Sequence, residues 1–172
     1  MKIKDQIDKD FIEAFGIEQF KIQEAFNKLE QFSELVAEYL EVSVLPIVSE
    51  PIKEDSRIYY KEQFIMLRPD ISLNELEAKK AIAHEYRHYY QFLCIKNAKY
   101  DEPLLHQYLE GFQYMIVHGN KNDGTSDYYS LIIEIDAFAF QKYFLKEVLG
   151  IETHYPNEDY DKILDKFIKN FY

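Results

Sequence analysis

The chain has 172 residues, with 47% hydrophobic and 30% charged positions, enough for one domain with a sizeable core and too apolar for a disordered chain. Its net charge of −11 argues against wrapping nucleic acid or sitting on an anionic membrane. The single cysteine, Cys94, excludes an internal disulfide and a thiolate metal cluster, and its place between Leu93 and Ile95 reads as core packing.

The chain opens without the apolar run of a signal peptide, and no stretch approaches the length of a transmembrane helix, so a cytoplasmic, membrane-free protein is expected. Ile3, Ile7, Phe11 and Phe15 recur every fourth residue up to Gly16, a short helical pattern. A longer stripe follows through Ile22, Ala25, Phe26, Leu29, Phe32, Val36 and Leu40, with Glu24, Glu30, Glu34 and Glu38 on the other face, as on a solvated helix over a core.

Near Glu41 the pattern changes. Val42 to Val48 is β-branched and short, and Pro46 demotes its second half to an edge or a bend. Arg57 to Leu67 is the second strand-like region. Lys61-Glu62-Gln63 would turn it into a hairpin, although the turn has no glycine. Pro69-Asp70 ends the strands. Ser72-x-x-Glu75 matches a capping box, and the helical stripe then runs through Leu73, Leu76, Ala81, Ile82, Tyr89, Phe92 and Ile95 to about Lys96.

Within that helix lies His84-Glu85-Tyr86-Arg87-His88. Positions i and i+4 share a helix face, so both imidazoles can address one ion, with Glu85 beside them to touch a water on it. H-E-x-x-H is the arrangement in which two imidazoles hold Zn²⁺ and the glutamate acts as general base. Tyr89 and Tyr90 read as core, and Arg87 as one half of a surface or interhelical ion pair.

Asp101-Glu102-Pro103 would begin another helix, with Leu105, Tyr108, Leu109, Phe112 and Ile116 on its stripe and Gly119 at its end. Asn120 to Gly124 is loop. Thr125-Ser126-Asp127 can cap a helix that reaches Gly150, and a last helix follows Pro156-Asn157 with Tyr160, Ile163, Leu164, Phe167, Ile168 and Phe171 on one face. The order of helices, a few strands, then helices is α+β, in one domain over 1–172.

A catalytic zinc needs a third protein ligand. Glu134 lies among apolar neighbours from Leu131 to Phe140, where a bare carboxylate is costly to bury. Asp136 shares that setting, but two residues apart on a straight helix they cannot readily reach one ion, so one would bind metal while the other orients a histidine or caps a neighbour. Glu110 is a further candidate. His106, His118 and His154 read as surface or capping residues, and Tyr128, Tyr129 and His118 border the loop from which an oxyanion donor could come.

His84-Glu85-x-x-His88 in a helix after a strand, together with Glu134-x-Asp136-Ala137-x-x-Phe140 downstream, resembles the gluzincin-like zinc metallopeptidases, most closely the ImmA/IrrE-type family. The likeness covers roughly Ile58 to Phe144. It implies a zincin-like (minimal gluzincin) fold, with the active-site helix packed on a small antiparallel sheet and further helices at both ends. It also implies Glu134 as third zinc ligand and Ala137 as the small residue that lets two helices pack closely. This chain has Phe138 where the family often has Asn or Asp bracing the site, a part Asp136 can take over. The implied activity is hydrolysis of a peptide or protein substrate, and an extended substrate could add to an exposed strand edge within Phe64–Leu67. The alternative is a non-catalytic binding or regulatory protein of the same fold.

Overall fold

The computed structural model describes residues 19–118 and 130–172. The short pattern from Ile3 to Gly16, the loop Asn120–Gly124, the Thr125–Asp127 cap, and Tyr128 and Tyr129 lie outside the described residues, as does the side chain of His118. Six helices and three strands make up the described part. They are α1 (Gln19–Leu40), β1 (Ile47–Ser49), β2 (Ser56–Tyr59), β3 (Phe64–Leu67), α2 (Pro69–Ser72), α3 (Glu75–Lys96), α4 (Leu105–His118), α5 (Ile132–Leu149) and α6 (Glu158–Phe171). The architecture is α+β and mostly helical. Among the described residues no helix is long and apolar enough to cross a membrane. The chain divides into two compact units at the Tyr86–Arg87 peptide, inside the unbroken helix α3.

In the first unit α1 buries Phe26, Leu29, Phe32, Val36, Ala37 and Leu40 and leaves its glutamates exposed, as its periodicity requires. The sheet has the order β1-β3-β2. The hairpin forms as expected: β2 and β3 are antiparallel, with Ile58 opposite Ile65, and Gln63 N donates to Tyr59 O at 2.7 Å to close the turn. Gln63 adopts a φ of 59°, the left-handed conformation that a glycine would have supplied without strain.

Two strand expectations are corrected. The sheet is mixed, not antiparallel, because β1 runs parallel to β3, with Ile47 opposite Ile65. The hairpin occupies one side of β3 and leaves the other to β1, which begins just after Pro46. Pro46, lacking an N–H, still contributes its carbonyl to Ile65 N at 2.9 Å. Phe64–Leu67 is therefore the central strand, bonded on both sides, and the sheet edges belong to β1 and β2.

The capping box does not form either. Ser72 ends the short helix α2, where its hydroxyl donates to Pro69 O at 2.8 Å and lies 2.9 Å from Ser49 Oγ. Asn74 starts α3 instead: its side-chain oxygen accepts from Glu77 N at 3.3 Å and its carbonyl from Ala78 N at 2.8 Å. From Ile82 to Tyr89 every residue of α3 is buried, while Leu76, nearer the start, is 40% exposed. Tyr86 anchors this stretch within the first unit. Its hydroxyl accepts from Leu45 N at 2.7 Å and lies 2.7 Å from Ser33 Oγ. Ser33 spends its own proton on Leu45 O, so Tyr86 donates to Ser33.

The second unit is helical. Cys94, Leu104, Tyr108, Ile133, Ala139, Leu164 and Phe167 form its core, which confirms Cys94 as packing. Gly150, at φ 67°, terminates α5 in a left-handed cap, its N–H returning to Lys146 O. Asn157 caps α6 through Asp159 N and Tyr160 N. Lys142 of α5 meets Asp161 and Asp165 of α6, each at 2.7 Å.

Candidate metal centre

His84 and His88 stand one turn apart on α3, both buried, and Glu134 lies in the first turn of α5 with no exposed surface. One ligand atom from each of the three residues lies within 4.8 Å of the others, so the buried His-His-Glu group can hold a metal ion. His88 Nε2 lies 3.3 Å from Glu134 Oε1. Donors about 2.0–2.1 Å from a tetrahedral ion stand about 3.3–3.4 Å apart, so this separation suits two ligands of one metal ion.

Glu85 is buried beside the pair, and Ser56, the first residue of β2, donates its hydroxyl to Glu85 Oε1 at 2.7 Å. That bond orients the Glu85 carboxylate through Oε1. Nothing in the sequence singles out Ser56, because the hairpin that delivers it is a tertiary feature.

Asp136 is not part of the group. Its carboxylate receives five donors: Arg87 Nε at 2.8 Å and Nη2 at 3.1 Å, Gln91 Nε2 at 2.7 Å, Tyr108 OH at 2.9 Å and Tyr172 OH at 2.7 Å. Arg87 thus forms a buried interhelical pair, not a surface one, and its guanidinium lies 4.5 Å from the Tyr90 ring centre. Burial opposes the guanidinium charge, but the Asp136 carboxylate outweighs it and holds Arg87 firmly protonated. Burial first, and then the same carboxylate, pushes the Tyr108 and Tyr172 hydroxyls well above their ordinary range. Gln91 links this hub to His88, with its Oε1 2.9 Å from His88 Nδ1. Gln91 was detectable as a polar residue three positions after His88 on the same helix, but Tyr172, at the far end of α6, carried no such signal.

Gly111 sets how closely α4 approaches α5. A Cβ on Gly111 of α4 would come within 2.8 Å of the Ile133 side chain, next to Glu134, so only glycine fits there without displacement. Ala137 is fully buried. Phe138 packs edge-on against Tyr155 and Tyr160, away from any bracing part.

The other candidates stand elsewhere. Glu110 is exposed and paired with exposed His106 across a helical turn, so it is no ligand of this group. His154 is exposed beside Asp161. Comparison with protein-family models, curated proteins and solved structures returned no match.

Proposed function

We propose that the chain is a zinc-dependent peptidase with a zincin-like fold of the gluzincin kind, in which His84, His88 and Glu134 hold the metal and Glu85 is the general base. What carries the reading is the meeting of two imidazoles from one helix turn with a buried carboxylate from a second helix, with Glu85 adjacent and oriented by Ser56. The chemistry a bound zinc supplies is Lewis acidity, which acidifies a water and polarises a peptide carbonyl. Glu85 takes a proton from the attacking water at Oε2, the oxygen Ser56 does not engage, and passes it to the departing amine as the C–N bond breaks. An extended substrate pairing with the edge strand β2 runs past Glu85, since Ser56 belongs to that strand.

Glu85→Gln tests this. Glutamine is nearly isosteric but cannot take a proton, so zinc content and fold should be kept while proteolysis falls by about 10²–10⁴. Protein purified without chelator should carry about one zinc per chain, and His84→Ala should lose it. Wild-type and Glu85→Gln protein are incubated with cell lysate and the newly formed peptide N-termini compared. A zinc-loaded wild type that makes no more new termini than the variant removes the peptidase reading in favour of a non-catalytic binding protein. Well under half an equivalent of zinc after addition of the metal removes the metal centre itself.

A further inference from the structure

We infer that Gln91 is a positioning residue: it fixes His88 as the tautomer with the proton on Nδ1, and so presents the Nε2 lone pair on the side of Glu134. The functional consequence rests on the metal-centre reading above, but the tautomer itself is a property of the metal-free protein.

The assignment follows from which atoms can donate. The Gln91 side-chain nitrogen lies 2.9 Å from the backbone oxygen of Ile133 and 2.7 Å from Asp136 Oδ2. A backbone carbonyl oxygen can only accept, so the group facing it is the NH₂. Turning the amide over would set its oxygen against two other oxygens at hydrogen-bond distance. The amide oxygen therefore faces His88 Nδ1, at 2.9 Å, and an amide oxygen can only accept. The proton is on Nδ1. In a neutral imidazole the other nitrogen then carries the lone pair, and that is Nε2, 3.3 Å from Glu134 Oε1.

The amide is itself held in place. Gln91, Asp136 and Tyr108 are fully buried, so water does not compete for their bonds. Arg87, Tyr108 and Tyr172 occupy the remaining positions around the Asp136 carboxylate, which keeps it aimed at Gln91 Nε2. Orientation thus passes from Arg87 and the two tyrosines to Asp136, from Asp136 to Gln91, and from Gln91 to His88. A glutamine that merely satisfied buried backbone would not need its oxygen on an imidazole. Such outer partners fix the tautomer and ring angle of a metal-binding histidine and are worth about 10–100-fold in metal affinity.

The test is long-range ¹H–¹⁵N NMR of the histidine side chains in metal-free full-length protein at pH 8, with His88 assigned by its disappearance in His88→Ala. Wild-type His88 should show the Nδ1–H pattern. Gln91→Met, close in size but without an amide, should move it to Nε2–H or to a mixture. Zinc affinity by chelator competition should fall about 10–100-fold with the helical circular dichroism retained. Gln91→Asn, whose shorter amide withdraws its oxygen from Nδ1, is the second variant should Gln91→Met not fold. A wild-type His88 that is Nε2–H or doubly protonated overturns the inference. So does a folded variant that keeps the Nδ1–H pattern. Wild-type protein with the Nδ1–H pattern but no zinc uptake sinks the metal reading and leaves the positioning role standing.

Discussion

His106 with Glu110, and His88 with Glu134, are the same atomic pair at nearly the same distance: Nε2 to Oε1, 3.2 Å in the first and 3.3 Å in the second. Their surroundings differ completely. The first two side chains are 82% and 65% exposed, on successive turns of one helix; the second two are 7% and 1% exposed and come from different helices. In the exposed pair each group can exchange its partner for water, and such pairs contribute only a few tenths of a kcal/mol. In the buried pair the ring is oriented by Gln91, the carboxylate sits where Gly111 lets Ile133 approach, and a second imidazole stands one turn away. Proximity of a histidine to a glutamate is therefore not a site. Burial, with a structure behind each partner, is what makes the second pair a candidate for one.

The sharpest way to break this contrast is to disturb what lies behind the buried pair. Arg87→Met leaves the Asp136 carboxylate buried without its guanidinium, and should destabilise the protein by about 3–5 kcal/mol. His106→Ala, on the exposed pair, should cost under about 0.5 kcal/mol. Urea unfolding of both variants measures the difference, and equal midpoints would mean that the Asp136 hub adds nothing to stability.

Metal affinity sharpens the contrast at the pairs themselves. Glu134→Ala should weaken zinc binding by at least about 10²-fold, more than loss of an outer partner typically costs, while Glu110→Ala should leave it unchanged. Asp136→Ala should fall between them, through Gln91. A competition titration in which Asp136→Ala is the most damaging of the three would make Asp136 the ligand.

The smallest effect is the most specific to burial. Tyr172→Phe removes one hydrogen bond to Asp136 and should cost about 1 kcal/mol at neutral pH. The Tyr172 hydroxyl is raised well above its ordinary value of 10.0 by burial and by Asp136. A group whose folded pKa is raised contributes stability that is complete below the unfolded value and lost as pH rises above it. Wild-type stability should thus decline above pH 10, by about 1.4 kcal/mol per pH unit for each such tyrosine. Tyr172→Phe should shallow that alkaline limb by one increment. An unaltered slope would mean that Tyr172 ionises alike in the folded and unfolded chain.

Much of the helical part of the fold was readable from local pattern. The stripe from Phe26 to Leu40, the helix to Lys96, the Gly150 stop and the Asn157 start all appear where periodicity and capping chemistry put them. The strands were harder, because a strand of three or four residues declares neither its partner nor its direction. That is why Val42 to Val48 read as one strand, whereas β1 is Ile47–Ser49 alone, beginning after Pro46, and its parallel pairing with β3 could not be foreseen. The Ser72 cap failed for a related reason: two hydroxyl or amide side chains stood within three residues, and the extra turn made by Pro69–Ser72 gave the cap to Asn74.

By itself the sequence determined the geometry that lives within one helix. His84, Glu85 and His88 share a turn of α3 because an α-helix repeats every 3.6 residues whatever packs on it. Tertiary structure alone decided which acid joined them. Glu134 and Asp136 are nearly equivalent as letters in an apolar run, but they point in different directions around α5. One meets His88 Nε2; the other meets an arginine, two tyrosines and the glutamine that orients His88. That choice depends on how a helix is rotated when it packs, and rotation is settled by contacts between residues far apart in the chain.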